Sequence, residues 1–169
     1  MARTSYAIAL GSNRRHGRHG SPTAVLEAAI EELRERRIEI ESFSEVRLTP
    51  ALGPAGRSFA NAAVLASTDL GPLELLAELK DVERSFGRRG GRRWGPRVID
   101  LDILLWSGGP YEGAGLVIPH PAMRERAFVL DPLDELVPAW RDPVTGLTVR
   151  QLRARLIARR PVDPETARS

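Results

Sequence analysis

At 169 residues, with 42% hydrophobic and 28% charged content, the chain has the composition of one soluble globular domain with a substantial core. It contains no cysteine, which excludes a disulfide framework and any thiolate metal site. The net charge is only +3, and the positive charge is nearly all arginine, Lys80 being the single lysine. That balance suits a polyanionic small molecule such as a nucleotide, although charge alone does not exclude nucleic acid. There is no apolar run of transmembrane length and no signal-peptide pattern after Met1, so a cytoplasmic protein without a membrane partner is expected.

Residues 5–10 read as a short apolar strand, ended by Gly11-Ser12-Asn13. The stretch 14–20 is basic and glycine-punctuated. Its His16 and His19 have no evident third ligand and read as surface residues. Ser21 offers an N-cap, Pro22 suits a first helical turn, and Val25, Leu26, Ala29, Ile30 and Leu33 recur at helical spacing. Residues 38–48 alternate as a strand, 49–56 form a Pro/Gly loop, and 59–68 read as another strand. Gly71-Pro72 opens a second helix, expected to bury Leu73, Leu76, Leu79 and Val82. An arginine-rich loop over 87–96 leads into an acid-bearing strand.

This order, β-α-β-β-α-β, is the ferredoxin-like pattern and predicts an α+β fold with helices packed on an antiparallel sheet. A short apolar piece at 116–118, a helix within 121–136 and a terminal helix follow. The last helix is expected to start at a Thr148 cap and to run through Leu152, Leu156 and Ile157. One domain over 1–160 and a polar, frayed tail over 161–169 are expected, with no repeat and no linker.

The chemistry concentrates in Arg93-Trp94-Gly95-Pro96-Arg97-Val98-Ile99-Asp100-Leu101-Asp102-Ile103-Leu104. Alternation along a strand puts Ile99, Leu101, Ile103 and Leu105 on one face, and Val98, Asp100, Asp102 and Leu104 on the other. Two carboxylates two residues apart have backbones roughly 6.6 Å apart. They can converge on divalent cations, and magnesium favours one or two carboxylates completed by substrate phosphates. Arginines just upstream supply planar forks for those phosphates. A solvated acidic face would show the same alternation. There is no Walker A frame around Lys80, so a nucleotide must be held in another way.

The whole segment from Arg93 to Leu104 resembles the signature of the 6-hydroxymethyl-7,8-dihydropterin pyrophosphokinase family: a basic residue, Gly-Pro-Arg, two spacers, Asp-aliphatic-Asp and two aliphatics. The resemblance extends from Tyr6-Ala7-Ile8-Ala9-Leu10-Gly11-Ser12-Asn13 to about Trp140. Thr49-Pro50-Ala51-Leu52-Gly53-Pro54 is similar to the family's pterin-side loop, and Phe59-Ala60-Asn61 to the strand after it. Ile118-Pro119-His120 with Arg126 and Phe128 downstream is similar to its Pro-His element.

The resemblance implies Mg-dependent transfer of the pyrophosphoryl group of ATP to 6-hydroxymethyl-7,8-dihydropterin in folate biosynthesis, by a monomer acting on small molecules. It implies two magnesium ions on Asp100 and Asp102, with Arg88 and Arg97 as further catalytic groups. It assigns Glu83, Arg88, Arg92, Trp94, Arg97, Ile103, His120 and Arg126 to ATP. It assigns Thr49, Pro50, Leu52, Phe59, Asn61, Trp94, Asp100 and Phe128 to the pterin. The residue types suit these roles: an Asn amide matches an aminopyrimidinone edge, and two phenylalanines can stack on a flat heterocycle. Trp94 would serve as a lid. The second loop-arginine role falls to Arg89 or Arg92, since the loop is one residue short of a familiar bacterial member. Gly115 and Val117 stand where some members place arginine and threonine, Pro121 replaces an aromatic, and Phe59 replaces a frequent tyrosine. Gly115 and Val117 also admit a degenerate, inactive relative. An RNA-binding ferredoxin-like sheet is the other class considered; the aromatic RNP1 string is absent, and bare paired acids repel phosphates.

Overall fold

The computed structural model describes residues 2–13, 20–49, 59–87 and 98–159. The elements are β1 (Thr4–Ser12), α1 (Pro22–Arg34), β2 (Glu39–Phe43), β3 (Arg47–Thr49), β4 (Phe59–Thr68), α2 (Pro72–Gly87) and β5 (Asp100–Trp106). A hairpin of β6 (Tyr111–Gly113) and β7 (Leu116–Ile118) follows, then α3 (Ala127–Leu136) and α4 (Val149–Arg159). The strands pair antiparallel in the order β2-β4-β1-β5, with β3 beside β4 beyond the end of β2. The β-α-β-β-α-β expectation therefore holds, with β2 and β3 together filling the second strand position.

Alternation along the strands divides the core into two layers. Tyr6, Ile8 and Leu10 of β1, Ala60, Ala62, Val64 and Ala66 of β4, and Leu101 and Ile103 of β5 pack against α1 and α2. Ala7 of β1 and both Leu104 and Leu105 of β5 pack on the other side, against α3, α4 and Met123. Leu26, Leu33, Leu75 and Leu79 are fully buried, at about 1.5–3 kcal/mol each for the area taken from water.

The expected α1 forms as read. Ser21 accepts the Ala24 N–H at 3.2 Å, Pro22 stands in the first turn, and Val25, Leu26, Ala29, Ile30 and Leu33 are buried. Thr148 also caps as expected. Its hydroxyl accepts the Gln151 N–H at 3.2 Å, while the Gln151 amide oxygen accepts the Thr148 N–H at 2.9 Å, a reciprocal pair closing the first turn of α4.

Other expectations need correction. The strand read over 38–48 is two, because Ser44 replaces ladder partners: it donates its N–H to the Ala63 carbonyl and accepts the Ala63 N–H on its hydroxyl, each at 2.9 Å. β1 runs through Gly11 and Ser12 instead of ending before them, since both pair with β4. The buried stripe of α2 is Pro72, Leu75, Leu79, Val82 and Phe86; Leu73 is exposed, because the sheet meets the helix one position round from the expected line. In β5 a bulge opposite Ala7 and Ile8 leaves Leu104 unpaired, so Leu105 moves to the α3 side. The expected helix over 121–136 is a 3-10 turn, Met123–Glu125, and then α3, parted by the extended backbone of Arg126 (φ −118, ψ 107). Ile157 of α4 stays exposed. Among the described residues no helix is long and apolar enough to cross a membrane. Residues 14–19 of the loop expected over 14–20, with His16 and His19, and the tail 161–169 lie outside the described residues.

Candidate active site

The site grows from one row of register partners. Gly11 at the end of β1 is the partner of Asn61 on β4 and of Asp100 on β5, and Asn61 in turn pairs with Arg47 on β3. All four belong to the sheet face opposite α1 and α2. One step along, Ala9 pairs with Asp102 and Ala63. Neighbouring strands lie about 4.8 Å apart, so Asn61 and Asp100 flank a floor roughly 10 Å wide at the backbone. That floor is Gly11 and Ala9, which carry no side chain or a single methyl. A Cβ on Gly11 would stand 3.2 Å from Asn61 Oδ1, so the amide lies directly over the glycine.

α3 covers this face only in part, and beyond its first turn a cavity of about 390 Å³ remains. Its lining includes Thr49, Phe59, Asn61, Asp100, Asp102, Arg126 and Phe128, which gathers the expected pterin strand, acidic pair and arginine at one place. Phe59 and Phe128 are each about half exposed, at 47% and 48%, so their faces remain available to a ligand. The Arg126 guanidinium lies 5.7 Å over the Phe128 ring. Asp100 is exposed and Asp102 half-buried. Two half-exposed aromatic rings, an amide and two carboxylates on one cavity are the kind of lining that takes a small polar ring compound.

Three expected ATP residues do not line the cavity. Ile103 is 3% exposed and packs in the core on the α1–α2 side, because strand parity turns it away from Asp102. Glu83 of α2 accepts the Leu101 N–H at 3.0 Å and pairs with Lys80 at 3.5 Å. It therefore closes the free edge of β5 between the two acids. His120 donates its N–H to the Leu104 carbonyl at 3.0 Å and accepts the Ala122 N–H on Nδ1 at 3.2 Å. That bond makes Nε2 the donor nitrogen of the neutral ring. Pro50, Leu52, Arg88, Arg89, Arg92, Trp94 and Arg97 lie outside the described residues.

Seven lining residues lie outside the set expected from the sequence: Ala9, Leu10, Gly11, Ser12, Asn13, Val98 and Val129. Gly11-Ser12-Asn13 shows in the chain as a turn signal after an apolar strand, a pattern that by itself marks only the end of the strand. Ser12 donates its hydroxyl to the Val98 carbonyl at 2.6 Å, tying the end of β1 to the approach of β5.

For a divalent cation the donor set fits. Asp100 and Asp102 present two carboxylates on one face, which suits magnesium completed by substrate phosphates and water. No group of three or more His, Cys, Asp or Glu that would form an all-protein cage occurs among the described residues.

Fold and site together define an α+β ferredoxin-like domain whose sheet opens a small-molecule cavity beside paired carboxylates. Residues 7–138 match the family described as 7,8-dihydro-6-hydroxymethylpterin-pyrophosphokinase, and the chain belongs to that family of transferases. It is 40% identical over 151 residues to the 2-amino-4-hydroxy-6-hydroxymethyldihydropteridine pyrophosphokinase of Methylorubrum extorquens, covering 88% of this chain and 91% of that one. It is 43% identical over 115 residues to the enzyme of the same name from Synechocystis, covering 68% of this chain and 59% of the relative. Among solved structures, an HPPK-DHPS in complex with substrates superposes with a TM-score of 0.70 at 12% identity, over 94% of this chain and 44% of that one. A Plasmodium falciparum HPPK-DHPS with pteroate gives 0.69 at 15% identity, over 94% and 41%. The chain thus spans less than half of those two-part proteins, and they establish the fold alone.

Proposed function

We propose that the chain transfers the pyrophosphoryl group of ATP to the hydroxymethyl oxygen of 6-hydroxymethyl-7,8-dihydropterin, giving the pterin diphosphate and AMP, as a step of folate biosynthesis. The observation that carries this reading is the convergence of Asp100 and Asp102 with Asn61, Phe59, Phe128 and Arg126 on one cavity. The relatives' shared name supports the same reaction.

Asn61 offers an acceptor and donors to the aminopyrimidinone edge, and Phe59 and Phe128 hold the ring from its faces. This fixes the hydroxymethyl arm toward Asp100 and Asp102. The hydroxymethyl oxygen forms a bond to the β-phosphorus, and the bond from that phosphorus to the α–β bridging oxygen breaks, so AMP leaves with that oxygen. The hydroxyl proton passes to Asp100 or to water. Arg126 lies at the same mouth and stabilises charge on the transferred group. Asp100 and Asp102 would hold two magnesium ions, which supply charge neutralisation and alignment of the phosphates when bound. Positioning and electrostatics therefore account for most of the catalysis. Outside the described residues, Arg88, Arg92 and Arg97 are assigned to the phosphates, Trp94 to closure over the ligands, and Pro50 and Leu52 to the pterin.

The test is AMP release from ATP. It should require the hydroxymethylpterin and magnesium together; AMP formation without the pterin, or none with both, would overturn the assignment.

A further inference from the structure

Arg126 ends the short segment between β7 and α3, which holds no more than the 3-10 turn Met123–Glu125, yet its side chain must point in one direction to act. The segment's fastenings can be named. The His120 N–H is held by the Leu104 carbonyl at 3.0 Å. Met123 is fully buried in the core beneath α3. The Val129 and Leu130 N–H groups both reach the Arg126 carbonyl at 3.0 Å, but no side chain caps the start of α3. The Met123 N–H reaches the His120 carbonyl at 3.1 Å and the Arg126 N–H the Met123 carbonyl at 3.5 Å. A further fastening is Arg124, two residues before Arg126. Its Nη2 donates to Asp142 Oδ1 at 2.8 Å and its Nε to Oδ2.

Asp142 is built to receive this fork. Its side chain is fully buried, and it also accepts the Val144 N–H at 3.0 Å and the Thr145 hydroxyl at 2.8 Å. Its backbone carbonyl accepts the Gly146 N–H and its own N–H donates to the Leu147 carbonyl, both at 2.8 Å. Gly146 adopts φ +74, which closes the turn, and a bridge from Arg141 to Thr148 anchors it before α4. The carboxylate is thus oriented before Arg124 meets it. A bidentate Arg–carboxylate pair fixes the plane of the guanidinium as well as its position. Burying such a pair is a poor source of stability compared with apolar packing, so orientation is the physical return.

Neither Arg124 nor Asp142 lines the cavity, whereas Arg126 does. We propose that the Arg124–Asp142 pair is a positioning element that aims Arg126, which lines the cavity, at the phosphates of a bound nucleotide. This rests on the pyrophosphokinase reading above. The turn at Asp142 would then set the fit for ATP without touching it; on the pterin side Asn61 and Phe59 stand on β4, and Phe128 is carried by α3, whose first turn is fixed by the buried Val129 and Leu130.

The experiment compares wild type with Arg124→Met, Arg124→Lys and Asp142→Asn. Arg36→Met serves as a control, since Arg36 ties α1 to α2 on the opposite side of the sheet through Glu32, Glu78 and Asp81. All are assayed well below their melting temperatures. Arg124→Met and Asp142→Asn are expected to lose about tenfold or more in kcat/KM for ATP, a misplacement effect. Arg124→Lys, with a single point charge, should fall between them and wild type. Pterin affinity without nucleotide should stay within about twofold, and Arg36→Met should lower the melting temperature while leaving kcat/KM near wild type. Wild-type kinetics in folded variants, or equal losses toward ATP and pterin, would overturn the proposal. If the two stronger variants do not fold, Arg124→Lys alone decides: unchanged kcat/KM for ATP overturns it. Failure of wild type itself to make AMP would instead sink the functional reading.

Discussion

The Glu83 carboxylate on α2 accepts the backbone N–H of Leu101 at 3.0 Å, between the two acids of β5. β5 is an edge strand, and Leu101 itself is buried, so its outward N–H needs an internal partner. The Glu83 side chain is 11% exposed, which keeps the contact out of bulk water. A helix end thereby sets the line of the strand that carries Asp100 and Asp102.

Glu83→Ala should destabilise the protein by about 1–3 kcal/mol, the loss expected when a buried donor is left unsatisfied. Glu83→Gln keeps an acceptor and should lose less than about 1 kcal/mol. Urea unfolding gives the difference, and amide exchange at Leu101 locates it. Equal stability of Glu83→Ala and wild type would show that the bond does not hold the strand.

Asp100→Asn and Asp102→Asn should each reduce AMP formation by about a hundredfold or more, because each removes a charge aimed at the phosphates and their cations. Both substitutions are isosteric, so the variants should stay folded, with melting temperatures close to wild type. Near-wild-type turnover at saturating magnesium in either variant would remove the acids from the mechanism.

Asn61→Ala should weaken pterin binding by about 1–3 kcal/mol and change nucleotide binding far less. Gly11→Ala should act in the same direction, because the new methyl meets Asn61 Oδ1 at 3.2 Å and must push the amide aside. Calorimetric titration with each ligand separately distinguishes the cases. Equal losses for pterin and nucleotide would make Asn61 a support of the fold instead of a reader of the pterin.

Burial raises the pKa of the Asp142 carboxyl, but the hydrogen bonds from Arg124, Thr145 and Val144, with the Arg124 charge, outweigh it and bring it down to about 2 from the ordinary 3.8. A depressed carboxylate contributes stability that is complete above the unfolded value near pH 4 and is lost as pH falls through about 2. The contribution is about 2 kcal/mol near neutrality. Asp142→Asn should therefore be less stable than wild type by that order at pH 7, with the gap closing toward pH 2. A gap that stays constant from pH 7 to 2.5 in urea unfolding would show that the ionised form is not what Arg124 binds.

The acids of β5, the cap and buried stripe of α1, the Thr148 cap of α4 and the strand over residues 59–68 are all legible in the chain. Each depends on contacts within a few residues: side-chain parity, 3.6-residue spacing, or a hydroxyl reaching an N–H three positions on. The family motif was legible for the same reason, being one short segment. Other features rest on partners far away along the chain. Ile103 and Leu105 lie on opposite sides of the sheet because β5 bulges where it pairs with Ala7 and Ile8, so simple alternation fails there. Gly11 reads locally as the end of a strand, yet Asn61 and Asp100, on its two neighbouring strands, make it the floor of the cavity. Glu83 and Arg124 look like ordinary charged residues until Leu101 and Asp142 are brought to them by folding. Local chemistry thus determined which groups the protein carries. Register, the bulge and the long-range pairs decided which of them face one another, since those are energies of packing between distant segments that no short window contains.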